Sequence, residues 1–282
     1  MPLASTGDLV AHAATERRSV TAFNVITLEH AEGIIAGAEA AGRPVILQIS
    51  ENAVRYHRGQ LLPLALAAAS MARSSTAEVA LHLDHVTDVD LLHQAADAGF
   101  SSVMFDAGAL PYAENVSATA SAARWAHKTG LWLEAELGYV GGKPDSPASA
   151  HAAGVRTDPV EAADYVARTG VDALAVAVGS SHAMTEQSAT LDHALIERLR
   201  EAVPVPLVLH GSSGVPDGEL RSAVRAGIVK INIGTALNIS LTRVVRDTLD
   251  TLPALTDPRK YLGPARDAVA TTVHGILTMI AR

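Results

Sequence analysis

Short apolar runs alternate along this chain with stretches whose apolar residues recur every three or four positions. The runs predict strands at Val20–Ile26, Val45–Ser50, Val79–Leu83, Ser102–Phe105, Leu131–Glu136, Ala173–Val178, Leu207–Leu209 and Ile228–Ile233. Helical spacing predicts helices over Leu28–Ala41, Leu61–Arg73, Val89–Ala98 and Tyr112–Lys128. Gly42, Gly99, Gly130, Gly170 and Gly227 stand where helices end in a left-handed residue. Asp158-Pro159 reads as an N-cap followed by proline at the first helical position. Pro216-Asp217 opens the helix before the last strand, a short helix precedes the first strand, and a longer one covers Arg259–Ala281.

Eight strand–helix units predict an α/β fold, a single (β/α)8 (TIM) barrel occupying residues 1–282, with a C-terminal helical extension at about 258–282. A doubly wound open sheet is the alternative, but it usually carries a glycine-rich phosphate fingerprint after the first strand. Here that position reads Phe23-Asn-Val-Ile-Thr-Leu28, without glycine. One connection breaks the compact rhythm: LGYVGGKPDSPASAHAAGVRT, about 137–157, holds four glycines and two prolines. Loops of that length in a compact domain are usually functional. Gly141-Gly142 offers a hinge for a mobile lid, with Asp145 just beyond; a plain surface insertion is the competing reading.

Composition narrows the picture. Hydrophobic residues make up 48% and aromatics 4%, so the core is aliphatic. A net charge of −8 with no basic run speaks against general nucleic-acid binding. With no cysteine, neither a thiolate nucleophile nor a cysteine-ligated metal is available. No leader and no membrane span are expected, which predicts a soluble, cytoplasmic protein.

Three histidines each follow an apolar run: His85 after Leu81-His-Leu-Asp84, His182 after Ala173–Val178, and His210 after Pro206-Leu-Val-Leu209. In a parallel barrel the carboxyl ends of the strands share one face, so the three imidazoles converge as a catalytic divalent-metal site, most often zinc. His82 lies inside its strand and is expected within the barrel. Asp84 offers a carboxylate for proton transfer, provided that the strand is already turning there, since neighbours on a strand face opposite ways. Its alternative role, an N-cap, is better filled by Thr87 or Asp88. Glu134 and Glu136 share a face and would repel unless a cation or hydrogen-bond donors intervene. With Asp106 they suggest a second cation position, the orientation of a histidine ligand, or a structural salt bridge. Finally, His210-Gly-Ser-Ser-Gly214 and Asn232-Ile-Gly-Thr235 occupy the loops after strands seven and eight, the usual phosphate site of such barrels. Gly179-Ser-Ser181 closes a third side, and Lys230 is placed to steady the phosphate from a distance.

Taken together, Ala22-Phe-Asn24, Leu83-Asp-His85, Val103-Met-Phe-Asp106, Glu134-Ala-Glu-Leu-Gly138, Gly141-Gly142, Ala175-Val-Ala-Val-Gly179, Leu209-His-Gly-Ser-Ser-Gly214 and Lys230-Ile-Asn232 resemble the class II, zinc-dependent fructose-bisphosphate and tagatose-bisphosphate aldolases nearly end to end. The resemblance implies reversible aldol cleavage of a ketose 1,6-bisphosphate to dihydroxyacetone phosphate and an aldehyde such as glyceraldehyde 3-phosphate. By it, His85, His182 and His210 hold one catalytic Zn2+, Asp84 is the acid serving the aldehyde oxygen, and Asp106 and Glu136 approach a second cation position. Gly211, Ser213 and Thr235 hold the phosphate, Asn232 contacts the enediolate, and Asn24 and Ser50 line the pocket. A monovalent cation (Na+ or K+) beside the phosphate loop and a homodimer or homotetramer are further implications. A Schiff-base route would need a desolvated lysine, and of Lys128, Lys143, Lys230 and Lys260 only Lys230 is placed for it.

Three positions depart from the family pattern. Pro144 stands where a loop glutamate exchanges the substrate proton, leaving Asp145 or Glu134 to substitute. Ala183 stands where glycine is common, and Gly234 replaces a frequently polar residue. Two other readings therefore stand beside the bisphosphate aldolase: a related class II aldolase or lyase for a different ketose phosphate, and a catalytically silent metal- or sugar-phosphate-binding protein.

Overall fold

The computed structural model describes residues 3–138 and 156–281. Eight parallel strands close in sequence order: β1 (Val20–Asn24), β2 (Val45–Ser50), β3 (Val79–Val86), β4 (Ser102–Phe105), β5 (Trp132–Leu137), β6 (Ala173–Val176), β7 (Leu207–Leu209) and β8 (Ile228–Ile233). Pairing of Ala22 with Asn232 and of Phe23 with Ile233 joins β8 back to β1. The expected barrel is the fold found. Around it run α1 (Thr6–Thr15), α2 (Leu28–Ala41), α3 (Glu51–Tyr56), α4 (Leu61–Ser74), α5 (Val89–Leu92), α6 (Tyr112–Lys128), α7 (Pro159–Thr169), α8 (His193–Ala202), α9 (Asp217–Ala226), α10 (Thr235–Thr251) and α11 (Arg259–Ile280).

The strands form because their β-branched and leucine-rich runs are buried on both faces, as a parallel sheet under helices requires. Outward residues such as Phe23, Leu47, Leu81, Val103 and Leu133 make the main aliphatic core against the helices. Inward residues fill the barrel differently at each end. Val20, Ala22, Ile46 and Ala80 pack with Leu9, Val10 and Ala13 of α1, which plugs the N-terminal end. α11 lays Ala265, Val269, Val273 and Leu277, one turn apart, as its buried face, against α2 and α10.

Several boundaries move. β1 stops at Asn24 rather than Ile26, and β3 runs on to Val86 rather than ending at Leu83. The helix expected over Val89–Ala98 is regular only to Leu92, then continues as turns. The short α3 goes unpredicted, hidden by its brevity, with Ser50 as its N-cap accepting from Ala53 N at 3.2 Å. Asp158 caps α7 as read, accepting from the backbone of Val160 and Glu161. Among the described residues no helix is long and apolar enough to cross a membrane.

Candidate active site

The end of β3 sets the site. Its pairing with β4 shifts between Leu83 and Val86, and His85 adopts φ +49°, a conformation costing a non-glycine residue about 1–2 kcal/mol. That turn brings the neighbours Asp84 and His85 to one pocket, where a regular strand would send them to opposite faces. Asp84 is buried and caps no helix; Asp88 takes the cap of α5, accepting from Asp90 N.

His85, His182 and His210 meet with ring centroids 5.0, 5.1 and 5.6 Å apart. One nitrogen from each and a Glu136 carboxylate oxygen all lie within 4.8 Å of one another. The outer nitrogens of two of the three are held by carboxylates. His85 Nδ1 is 3.0 Å from Asp106 Oδ2, turning Nε2 inward. His210 Nε2 is 2.8 Å from Glu134 Oε1, turning Nδ1 inward to 2.9 Å from Glu136 Oε2, outside hydrogen-bond alignment. His182 Nε2 stands 4.0 Å from the same oxygen. Neither His182 Nε2 nor His210 Nδ1 has a hydrogen-bond partner among the described residues, although both atoms are buried. Buried nitrogens left this way are costly, and three imidazoles with a carboxylate are the donor set of a divalent-metal centre. The residues therefore fit the metal. Asp106 and Glu136 do not assemble a second cation position: Asp106 orients His85, and Glu136 joins the single cluster found among the described residues.

A chain of charges runs beneath this cluster. Lys230 Nζ lies 2.8 Å from Glu134 Oε2, and neither side chain is exposed. Lys230 thus does not reach the pocket to steady a phosphate, because its ammonium neutralises Glu134 inside the barrel. For the same reason it is no Schiff-base lysine, and Glu134 cannot stand in for the loop glutamate. Burial opposes ionisation of Glu134, but Lys230 and the His210 hydrogen bond outweigh it and hold the carboxyl far below its usual range. Burial, aided by Lys230, pushes His82 down to about 3; its Nδ1 pairs with Ser102 Oγ at 2.8 Å, inside the barrel as expected. His210 moves oppositely, up to about 9, because its contacts to Glu134 and Glu136 overcome burial. Against the opposing effect of burial, Asp84 and Asp106 raise His85, and the surrounding His85, His82 and His210 lower Asp84. Burial lowers His182.

The mouth above is a cavity of about 200 Å³ lined in part by Asn24, Ser50, Asp84, Gly211, Ser213, Asn232 and Thr235. Gly211 has φ +66°, and a Cβ there would lie 2.5 Å from the Ser181 carbonyl; only glycine lets the loops after β6 and β7 interlock. Ser213 Oγ accepts from Ala236 N at 3.1 Å and ties that loop to the start of α10, whose first residue, Thr235, lines the pocket; helix N-termini favour anions. Both polar atoms of the Asn232 amide are buried without a partner among the described residues. Gly179, by contrast, does not line the cavity: it lies beneath the Thr190 carbonyl and the Arg156 guanidinium. Gly141, Gly142, Pro144 and Asp145 lie outside the described residues.

Sequence reasoning overlooks two groups. Gln48 Nε2 donates to Asn24 Oδ1 at 2.9 Å and to Asp84 Oδ2 at 3.4 Å; its signal is a lone amide within Val45-Ile-Leu-Gln-Ile49, on the face of Ser50. Glu51 is buried and accepts from Thr87 N, Thr87 Oγ1 and Asp88 N, which pins the turn after His85. Of the departing positions, Ala183 lines the cavity at φ +58°. At Gly234 a Cβ would fall 2.6 Å from Asn24 Oδ1.

Comparison with known proteins agrees with this geometry. The family described as fructose-bisphosphate aldolase class-II matches residues 4–281. Among curated relatives, a fructose-bisphosphate aldolase of Geobacillus stearothermophilus is 39% identical over 276 residues, covering 98% of this chain and 96% of its own. One of Staphylococcus aureus is 38% identical over the same extent. The crystal structure of the YdjI aldolase from Escherichia coli K12 superposes with a TM-score of 0.83 at 32% identity, over 99% of this chain and 97% of the other. With the metal donors gathered at the barrel mouth and the match running end to end, the chain belongs to the class II fructose-bisphosphate aldolase family, an aldehyde-lyase family.

Proposed function

We propose that the chain catalyses reversible aldol cleavage of a ketose 1,6-bisphosphate, fructose or tagatose type, to dihydroxyacetone phosphate and an aldehyde such as glyceraldehyde 3-phosphate. The observation that carries this reading is the cluster of His85, His182, His210 and Glu136 beside a cavity lined by the loops after β7 and β8. A divalent cation held by the three histidines, Zn2+ in this reading, supplies Lewis-acid polarisation of the substrate carbonyl.

The chain's own groups do the rest. Asp84, ionised and held by Gln48, takes up and returns the proton of the aldehyde oxygen. The Asn232 amide, with no competing partner among the described residues, contacts the enediolate. Backbone groups of Gly211, Ser213 and Thr235 hold the phosphate next to that carbon, and Asn24 and Ser50 receive the remainder of the sugar. Asp145 takes the proton exchanged at C3. The same reading includes Na+ or K+ beside the phosphate loop, a homodimer or homotetramer, and a cytoplasmic enzyme of glycolytic carbohydrate metabolism.

Chelator-treated enzyme is expected to release no dihydroxyacetone phosphate from fructose or tagatose 1,6-bisphosphate, with activity returning on addition of Zn2+; full activity after chelation would refute the reading. The methyl of Ala183 on the cavity wall favours a second reading, an aldolase for a different ketose phosphate. A panel of ketose mono- and bisphosphates separates the two by kcat/KM.

A further inference from the structure

At the opposite, N-terminal end of the barrel lies a cavity of about 710 Å³, walled by α1, the turn into β1, the turns before β2 and β3, α9, and the end of α11. Five arginines line it, Arg17, Arg18, Arg43, Arg221 and Arg225, against three carboxylates, Asp8, Glu16 and Glu78. This local excess of positive charge stands out in a chain of net charge −8. Arg18 is paired with Glu16 at 3.2 Å, and Arg225 donates to Ser222. The side chains of Arg17, Arg43 and Arg221 form no ion pair or hydrogen bond among the described residues, although Arg43 and Arg221 are half-buried.

Two further features mark the same wall. The hydroxyl of Ser19, on the same wall, is buried and has no hydrogen-bond partner among the described residues. Arg17 holds φ +54° in the turn that ends α1, a position that favours glycine, since any other residue there is strained by about 1 kcal/mol or more. Three arginines around one cavity, without an ion pair or hydrogen bond among the described residues, leave it a set of donors that an anion would complete. Guanidinium forks match phosphate oxygens in pairs. Besides His12 and Thr21, the rest of the wall is largely apolar, with Leu9, Ala13, Val224, Leu277 and Ile280, and the volume suits a small molecule rather than a bare ion.

We propose that this end of the barrel is a second ligand site, distinct from the aldol site, which binds a small organic phosphate through Arg17, Arg43 and Arg221 and seats its apolar body on α1 and α11. The probe is phenyl phosphate, titrated calorimetrically into the metal-loaded enzyme. Saturable binding is expected to survive Ser213→Ala, which alters the aldol site, and to weaken at least tenfold in Arg43→Met/Arg221→Met. Cleavage kcat in that double variant is expected to stay within twofold of the parent. Arg43→Lys/Arg221→Lys keeps the charge but not the fork, so it should fold as the parent does and bind at least threefold more weakly; it decides the matter if the methionine pair fails to fold. Binding unchanged in the lysine pair, binding lost only with Ser213→Ala, or no saturable binding at millimolar phenyl phosphate would each overturn the proposal. So would a change of oligomeric state in the double variant, because the cavity would then be a seam between subunits.

Discussion

Glu134 and Glu136 sit two residues apart on the same face of β5, about 7 Å from one another along the strand, and live in opposite regimes. Glu134, deeper in the barrel, spends one oxygen on Lys230 and the other on His210, and the three charged or polar groups close on themselves. Glu136, nearer the mouth, faces nitrogens of His182 and His210 that have no hydrogen-bond partner among the described residues. One acid belongs to a network that the protein completes alone. The other belongs to a set of donors that the protein gathers without completing. Buried polar groups are nearly always satisfied in folded chains, so the unsatisfied set marks where something else binds, and the satisfied one marks the scaffold that aims it.

The strongest way to break that contrast is at the upper set. His182→Ala removes one donor, and aldol cleavage is expected to fall about 10³-fold or more, the scale on which charge-stabilising groups act, with bound metal near zero by elemental analysis. Its melting temperature should match that of chelated parent enzyme, because the lower network stays intact. Retained activity with stoichiometric metal would show that the cluster does not hold the cation. Next in size is the lower set. Lys230→Met leaves Glu134 buried without its counter-charge, a loss of about 3–5 kcal/mol in denaturant unfolding. Adding Glu134→Gln should recover much of it. A neutral Lys230→Met would mean that Glu134 is not held by that pair, and the distinction between the two acids would collapse.

The contrast was only half legible in the sequence. Periodicity reveals that Glu134 and Glu136 share a face, and the barrel pattern places His85, His182 and His210 at strand ends. Depth inside a closed barrel, however, depends on the stagger between strands, which no local pattern encodes. Lys230 therefore reads as a phosphate ligand, although Val208 pairs with Lys230 at a level below the mouth. Gly179 misleads for a related reason: the chain leaves β6 at Val176, and the glycine is used up beneath Thr190 before the loop reaches the pocket. The turn that lets Asp84 and His85 act together is expected from chemistry, but its form, a shifted pairing and a left-handed histidine, is a tertiary outcome. Gln48 is readable in principle, as a polar break in an apolar run, but nothing local tells that its amide meets Asn24 and Asp84 across neighbouring strands.

A smaller effect tests the link between the regions. Asp106→Asn keeps the shape of the carboxylate but weakens its hold on His85 Nδ1. Groups of this kind typically change metal affinity 10–100-fold, so competition against a chromophoric chelator should show a loss in that range. Cleavage at saturating metal should return most of the way to the parent value. If affinity is unmoved, the upper donors are positioned by the backbone alone.

The smallest expected effect asks that last question directly. Ala183 follows His182 and holds φ +58°, where glycine would sit without strain. Ala183→Gly removes about 1 kcal/mol of strain and adds about 0.4–1 kcal/mol of unfolded-chain entropy. The two terms nearly cancel, and the measured stability should move by less than about 1 kcal/mol. Metal affinity should change less than threefold, since the half-buried His182 ring is expected to keep its direction without the torsion after it. The missing methyl widens the cavity wall, so any kinetic change should appear in KM and in the ratio between ketose phosphates, with kcat nearly constant. A tenfold loss of metal affinity would instead mean that the strained backbone itself holds the upper donors apart. The rim would then be preorganised by torsion, while the Lys230–Glu134 layer beneath is preorganised by charge.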